Sequence, residues 1–393
     1  MKTPHDSAAT AVPPHGPVRI PDACGQVVLV LQGGGALGAY QAGVYQAMHE
    51  AGIAPDWVIG TSIGAINAAL IAGSPPSDRL DRITEFWKRV RYGPWTEMLN
   101  GWPMLGALGG YAATVTGGLP GFFTPNPLAF FGAHTPLGPE DAGYYSTAPL
   151  AATLSELIDF DLLNRGAPRI TVGAAAVATG VMRYFDSRDT PLELKHILAS
   201  GALPPAFPAI RIDGELFWDG GIVSNTPVEA VFDDHPRRSS LVFAVHIWNP
   251  QGTEPDTIWK VITRQKDIQY ASRSDAHIFR QRQIHKLRHV ISDLVDRLPP
   301  DQRQTPEVAA LAAYGCVTRM HVVRLLAPPL YGEDHSKDID FSEASIRARW
   351  ERGYADTMRV LNKQPWHEDV DPLEGFILHE ASAGEMMPDG HAR

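Results

Sequence analysis

Short apolar runs separated by glycine-rich turns mark the first third of the chain. Residues 27–31 are an unbroken apolar run, the signature of a strand buried on both faces. Glycines follow at positions 33, 34, 35 and 38, and a helical pattern then covers residues 39–51. Residues 57–59 read as a second buried strand. It runs into Gly60-Thr61-Ser62-Ile63-Gly64, and residues 65–72 continue as a helix. Asp78 is placed to cap a helix reaching about Val90, with Leu80, Ile83 and Trp87 on one face. Further on, the pattern predicts a helix over 148–158, a buried strand over 168–178 and its return over 181–185. A short helix over 192–200 leads into a loop held irregular by Pro204, Pro205 and Pro208. Residues 210–218 form a hairpin about Asp213-Gly214, and 240–247 form another strand. Residues 254–297 read as one or two long helices, with Ile284, Leu287, Ile291 and Leu294 at helical spacing. A last strand is expected over 320–325. A helix follows Ser342, its apolar stripe formed by Ile346, Trp350, Tyr354 and Leu361. Strands alternating with helices predict an α/β fold with a mainly parallel central sheet. No internal repeat is evident.

Four stretches depart from that alternation. Residues 1–24, with Pro13, Pro14 and Pro17 among small polar neighbours, read as a disordered leader. Residues 93–146 are rich in glycine, proline and aromatics (Trp95, Trp102, Leu105, Tyr111, Phe122, Phe123, Phe130 and Phe131 stand out) and carry few charges. A segment of this kind is often functional, so a lid or acyl-chain entrance and a packed irregular insertion are both open readings. Residues 251–365 read as a mostly helical C-terminal extension to a catalytic unit at 25–250. Residues 366–393 read as a flexible tail.

Composition narrows the classes. The chain has 393 residues, 44% hydrophobic and 20% charged, which suits a globular protein. A net charge of −10 argues against a general nucleic-acid binder. Cys24 and Cys316 are the only cysteines, which allows no disulfide framework and no thiolate metal site. No run of 18 apolar residues and no signal-peptide core are present, so a cytoplasmic location, peripheral to membrane at most, is expected. Lysines and arginines outnumber acids between 260 and 297. That excess reads either as a solvated helix face or as a surface meeting anionic membrane. Nothing in the sequence sets an oligomeric state.

Candidate chemistry centres on two turns. Gly60-Thr61-Ser62-Ile63-Gly64 fits G-x-S-x-G in the strand–turn–helix context that a nucleophilic serine needs. The Gly33–Gly35 loop can offer backbone N–H groups to an oxyanion. Gly33-Gly34-Gly35-Ala36-Leu37-Gly38 also fits G-x-G-x-x-G, the dinucleotide fingerprint. That fingerprint wants an acidic residue at the end of the next strand, where Gly60-Thr61-Ser62 stands. Asp56 lies at the wrong end. Downstream, Asp219-Gly220-Gly221 closes the hairpin. Alone it reads as an ordinary turn.

Taken together, G-G-G-A-L-G-A-Y, G-T-S-I-G-A and D-G-G resemble the patatin-like phospholipases, serine lipid acyl hydrolases. S-G-A-L-P-P-A-F and D-G-G-x-x-x-N-x-P add to the resemblance. It implies a patatin-like three-layer fold with residues 33–38 as oxyanion hole, Ser62 as nucleophile and Asp219 as proton acceptor. The reaction implied is two-step acyl transfer from a lipid or phospholipid ester, without a cofactor. No clustered metal-ligand set such as H-E-x-x-H occurs, so no metal is expected. Many family members carry an arginine in the glycine loop. Ala36 and Leu37 stand there instead, which leaves the hole to backbone donors. The region from about 255 to 365 resembles an extension found in a subset of bacterial members. Three rival functions remain open from the residues alone. One is a Ser-Asp-His esterase using a histidine after Asp219, with His246, His321 and His335 as candidates. The second is a nicotinamide dinucleotide-dependent oxidoreductase, and the third a catalytically idle membrane-surface protein.

Overall fold

The computed structural model describes residues 18–93, 114, 116–331, 333–368, 371 and 373–380. The expectations at 1–17, at Trp95, Trp102, Leu105 and Tyr111, and at 381–393 lie outside the described residues, as does any account of the Phe130 side chain.

The first strand, β1 (Gln26–Leu31), shows why an unbroken apolar run is needed. Its side chains alternate between two cores. Val27, Leu29 and Leu31 join the larger one, while Val28 and Val30 join the smaller on the opposite face. The strand is therefore covered on both sides, as in a parallel sheet with helices on each face. Helix α1 (Ala39–Glu50), strand β2 (Trp57–Thr61), helix α2 (Ile63–Ala72) and helix α3 (Arg79–Arg89) follow. Next come α4 (Ala148–Leu157), β3 (Arg169–Ala176), β4 (Met182–Asp186) and α5 (Leu194–Ser200). The hairpin strands are β5 (Ile210–Ile212) and β6 (Glu215–Asp219), with positive φ at both Asp213 and Gly214, as a type I′ turn requires. The chain continues through β7 (Ser240–His246), α6 (Ile258–Arg297), β8 (Met320–Leu326), α7 (Glu343–Lys363) and β9 (Phe376–Glu380).

Among the described residues, these nine strands form one sheet in the order β9-β8-β7-β1-β2-β3-β6-β5, with β4 also paired to β3. The run from β9 to β3 is parallel, and β4, β5 and β6 pair antiparallel. From β1 the chain builds outward on one side through β2 and later returns to the other side as β7. That reversal opens a crevice at the carboxyl ends of β1 and β2, where open α/β sheets bind ligands.

Three expectations need correction. Residues 18–24 are not a disordered leader: Cys24 is buried, Val18 and Ile20 pack on the main core, and the Arg19 carbonyl accepts from Trp366 Nε1 at 3.0 Å. The sheet does not end near residue 250, because β8 pairs with β7 and β9 with β8. Residues 366–393 are not a tail throughout, since 376–380 form that outermost strand. The physical reason is continuity of burial. β7 is buried along its whole length and needs a neighbour on its free edge. The long helical stretch is a single helix, α6. Among its basic residues, Lys260, Lys266, Arg282 and Arg297 each pair with an acid.

Candidate active site

The turn after β2 is built around one strained residue. Ser62 sits at φ 56 and ψ −125, a conformation that side chains rarely adopt. The flanking glycines make it feasible. A Cβ on Gly60 would fall 2.3 Å from the Gly64 carbonyl carbon, and one on Gly64 would fall 2.2 Å from the Leu31 oxygen. Ser62 thus stands at the tip of the turn, at the N-terminus of α2, whose dipole favours negative charge there. Its own N–H donates to Ser200 Oγ at 3.0 Å, and that hydroxyl donates to the Gly173 carbonyl at 2.6 Å.

Asp219 is delivered by strand register. β4 occupies one edge of β3, so β2 and β6 share the other. β2 ends with Thr61 opposite Gly173, and β6 ends with Asp219 opposite Ala174. Asp219 therefore takes the ladder position next to the one where the chain turns into Ser62. Ser62 and Asp219 line the same cavity, and the Gly221 N–H donates to Asp219 Oδ1 at 2.7 Å. The carboxyl is only 3% exposed. Burial pushes its pKa up to about 6, against the lowering effect of the neighbouring Ser62 hydroxyl and the Gly221 N–H.

The glycine loop lies against the serine: a Cβ on Gly33 would be 3.0 Å from Ser62 Cβ. Several of its amides are committed. Gly33 N–H donates to the Asn225 carbonyl, Ala36 N–H to the Asp338 carbonyl and Leu37 N–H to the Gly34 carbonyl. Those of Gly34 and Gly35 have no acceptor among the described residues. A buried polar network fixes the loop from behind. Trp248 Nε1 and Asn225 Nδ2 donate to the Gly33 carbonyl at 2.8 and 3.0 Å. The Gln32 amide donates to Thr226 Oγ1 at 2.7 Å and accepts from the Trp248 N–H at 3.0 Å.

These groups open on a cavity of about 250 Å³ whose remaining wall is mostly apolar, including Ile66, Phe122, Phe123, Leu203, Phe207 and Phe341. Two aromatics of the glycine- and proline-rich stretch thus meet Phe207 of the proline loop, with Phe123 and Phe207 centroids 5.6 Å apart. A serine and a buried carboxylate, backbone donors and an apolar pocket together suit acyl transfer from an ester with a hydrocarbon chain.

A family profile described as Patatin-like phospholipase matches residues 29–232, more than half of the chain. The chain belongs to the patatin-like phospholipase family. A second profile, described as Patatin phospholipase, matches residues 268–373, so the C-terminal region too has family counterparts. Two curated fungal proteins are similar over a short stretch. Lysophospholipase nte1 of Aspergillus terreus and lysophospholipase NTE1 of Chaetomium globosum are each 60% identical over 50 residues, 12% of this chain. The match spans 3% of either relative's length. Among solved structures, VipD from Legionella pneumophila is similar at 16% identity with a TM-score of 0.36, covering 86% of this chain and 67% of its own.

In this patatin-like chain the three sequence motifs converge. Residues 33–35, Ser62, Asp219 and Gly221 line one cavity. Ala36, Leu37 and Gly38 are buried behind it, Thr61 and Gly64 support the turn, and Gly220 begins the turn below Asp219. Sequence reasoning gave no role to Ser200, Gln32 or Trp248. Asn225 was visible only as the N of D-G-G-x-x-x-N-x-P. Ser200 had a signal too, as the first residue of S-G-A-L-P-P. Among the described residues, no histidine lines the cavity. His246 is buried at the end of β7, with a pKa pushed down to about 3 by burial. His321 Nδ1 meets His379 Nε2 at 3.0 Å between β8 and β9, and His335 stacks on Trp259. Asp56, the acid nearest the dinucleotide pattern, accepts from the Val27 N–H at 2.8 Å at the start of the strands, far along the sheet from the glycine loop.

Proposed function

We propose that this protein is a serine lipid acyl hydrolase that cleaves carboxylic ester bonds of phospholipids or related lipids through Ser62 and Asp219. The observation that carries this reading is Ser62, at the tip of its strained turn, sharing with the buried Asp219 one apolar cavity whose described lining holds no histidine. In the first step Ser62 Oγ attacks the ester carbonyl while its proton passes to Asp219. The oxyanion is held by the free N–H groups of Gly34 and Gly35. Collapse releases the alcohol with the proton returned by Asp219, and leaves an acyl-enzyme. Water, deprotonated by Asp219, then attacks the acyl-enzyme, and Asp219 returns that proton to Ser62 Oγ as the fatty acid leaves. The raised pKa of Asp219 matters here, because a general base works best when its pKa lies near the operating pH. The names of the fungal relatives support a lipid ester as substrate.

Labelling with a fluorophosphonate probe, followed by mapping of the modified residue, tests the reading. The label is expected on Ser62. Ser62→Ala should give a folded protein that hydrolyses no ester and takes no label. Most of the activity surviving in a folded Ser62→Ala protein would refute the assignment.

A further inference from the structure

The glycine loop is held not only by its own sheet but also by a strap from the C-terminal region, residues 333–341. The Ala36 N–H donates to the Asp338 carbonyl at 2.8 Å. The approach is close enough that a Cβ on Gly35, itself at φ +56, would fall 2.2 Å from that oxygen. The strap is fastened to α6 by two adjacent ion pairs of opposite sense. Lys266 Nζ meets the two Asp338 carboxylate oxygens at 2.8 and 2.9 Å and also donates to the His335 carbonyl at 3.2 Å. One residue further on, Asp267 accepts from Lys337 at 2.6 Å. Lys337 is buried and its ammonium lies 5.4 Å from the centre of the Trp248 ring, the same indole that donates to the Gly33 carbonyl. The other end of the strap is tied to the main core, where Tyr92 OH donates to the Ile339 carbonyl at 2.8 Å and Tyr92 N–H to the Phe341 carbonyl at 3.1 Å. Ile339 and Phe341 complete the cavity wall.

We propose that the crossed pairing of Lys266 and Asp267 with Asp338 and Lys337 is a clamp that sets the position of the oxyanion loop, which makes the C-terminal region a working part of the active site. This rests on the hydrolase reading above. Asp338 is a positioning residue: it touches no reacting atom, but its carbonyl orients the peptide next to the Gly34 and Gly35 donors. Oxyanion donors must be fixed before the charge develops, and a displacement on the order of 1 Å can cost about a hundredfold in rate. The crossed arrangement has a physical advantage over a single pair. Each charge has an opposite neighbour on its own segment as well as across the contact, so a one-residue slip of the strap would set like charges face to face.

The test uses the full-length chain with Lys266→Met, Lys266→Arg and Asp338→Asn. Two measurements are made on each: hydrogen exchange of peptides covering residues 33–38, and steady-state hydrolysis of a short-chain p-nitrophenyl ester with inhibition by a trifluoromethyl ketone. Lys266→Met is expected to speed exchange at the Ala36 amide. It should lower kcat by about tenfold to a hundredfold with KM within about twofold, and weaken the ketone, which forms a tetrahedral adduct, by the same factor as kcat/KM. Lys266→Arg keeps the ion pair and should restore most of both. Asp338→Asn, which keeps the shape, should fall between and serves if Lys266→Met does not fold. Unchanged exchange at residues 33–38 overturns the clamp, and so does faster exchange with wild-type kcat. If wild-type protein neither turns over ester nor takes a fluorophosphonate, the hydrolase reading fails, and the exchange result alone decides whether the clamp exists.

Discussion

Asp219 carries opposite consequences for activity and stability, and both follow from one pKa. Its carboxyl is raised to about 6 by burial. In the proposed mechanism acylation needs the ionised form, so kcat/KM should rise as pH increases through about 6 and level off above it. A pH–rate profile flat from 5 to 8 would contradict this. Stability runs the other way. A folded pKa above the unfolded value means that the native state binds the proton more tightly. The contribution is therefore fully present below about 3.8 and is lost as pH rises through about 6. Keeping the buried carboxylate ionised at pH 8 thus costs about 3 kcal/mol at most, two units at roughly 1.4 each. Asp219→Asn should accordingly lower turnover by about 10²–10⁴-fold while raising Tm at pH 8, and the gain should shrink at pH 5. If the residue were merely a turn former, Asn would leave turnover near wild type. Ser200 behaves differently. Its hydroxyl bridges the Ser62 amide and the Gly173 carbonyl, so Ser200→Ala leaves both buried groups without that partner. Loss of such a bond costs about 1–3 kcal/mol, seen as a lower Tm, and a loosened turn should lower kcat more than it changes KM. The turn at Ser62 was legible in the sequence because its geometry is written in flanking glycines. The bridging role of Ser200 was not, because it depends on two partners 138 and 27 residues away.

At the scale of elements, periodicity served wherever an element is long or wholly buried. β1 and β2 have no polar interruption, so their unbroken runs needed no context. α7 showed its stripe because Ile346 and Leu361 reach the core, while Trp350 and Tyr354 lie against α1 through bonds to Gln46 and Glu50. β9 failed to stand out for the converse reason. It has five residues, F-I-L-H-E, and a three-residue apolar run beside Gly and Pro has no period to read. Only pairing with β8 makes it a strand. The α1–α7 contact was equally silent in the sequence. It is made by two helix-interior glycines: a Cβ on Gly43 would fall 1.9 Å from the Trp350 oxygen, and one on Gly353 would fall 2.0 Å from the Tyr40 oxygen. Backbone meets backbone there, and neither side has a side chain that can rotate away. Gly353→Ala should therefore destabilise despite the gain of about 1 kcal/mol in helix propensity, since overpacking typically costs about 1–3 kcal/mol and rigid backbone puts this site at the upper end. A thermal melt of Gly353→Ala at or above the wild-type Tm would show that the two helices can part without cost.

For the molecule as a whole, the sequence suggested a catalytic unit ending near residue 250 and a helical extension after it. That division followed the family resemblance and the long helical pattern of α6, which separates the strands before it from those behind it. The larger core ignores the division. Val323, Leu325, Phe341, Ile346, Leu361 and Trp366 pack in one cluster with Leu29, Leu31, Ile63 and Phe243. β8 covers the edge of β7 in seven-residue register, from Met320 opposite Ser240 to Leu326 opposite His246. Removing residues 251–393 would therefore expose a fully buried strand as a bare edge, strip one face of the cluster, and take away the clamp on the glycine loop. An exposed, flat, apolar edge strand invites pairing between chains. Two outcomes of calorimetry separate the alternatives. If the C-terminal region were an appended domain, the full chain would melt in two steps, and residues 18–250 alone would reproduce the first. With one shared sheet and core, the full chain should melt in a single cooperative transition. The 18–250 fragment should then be insoluble or lack a transition, and adding back the missing segment as a separate peptide should not be needed to explain any residual ester hydrolysis, because none is expected. A soluble 18–250 fragment with a sharp melt of its own would overturn this unity, and with it the argument that the oxyanion loop takes its position from residues 333–341, well beyond the end of that fragment.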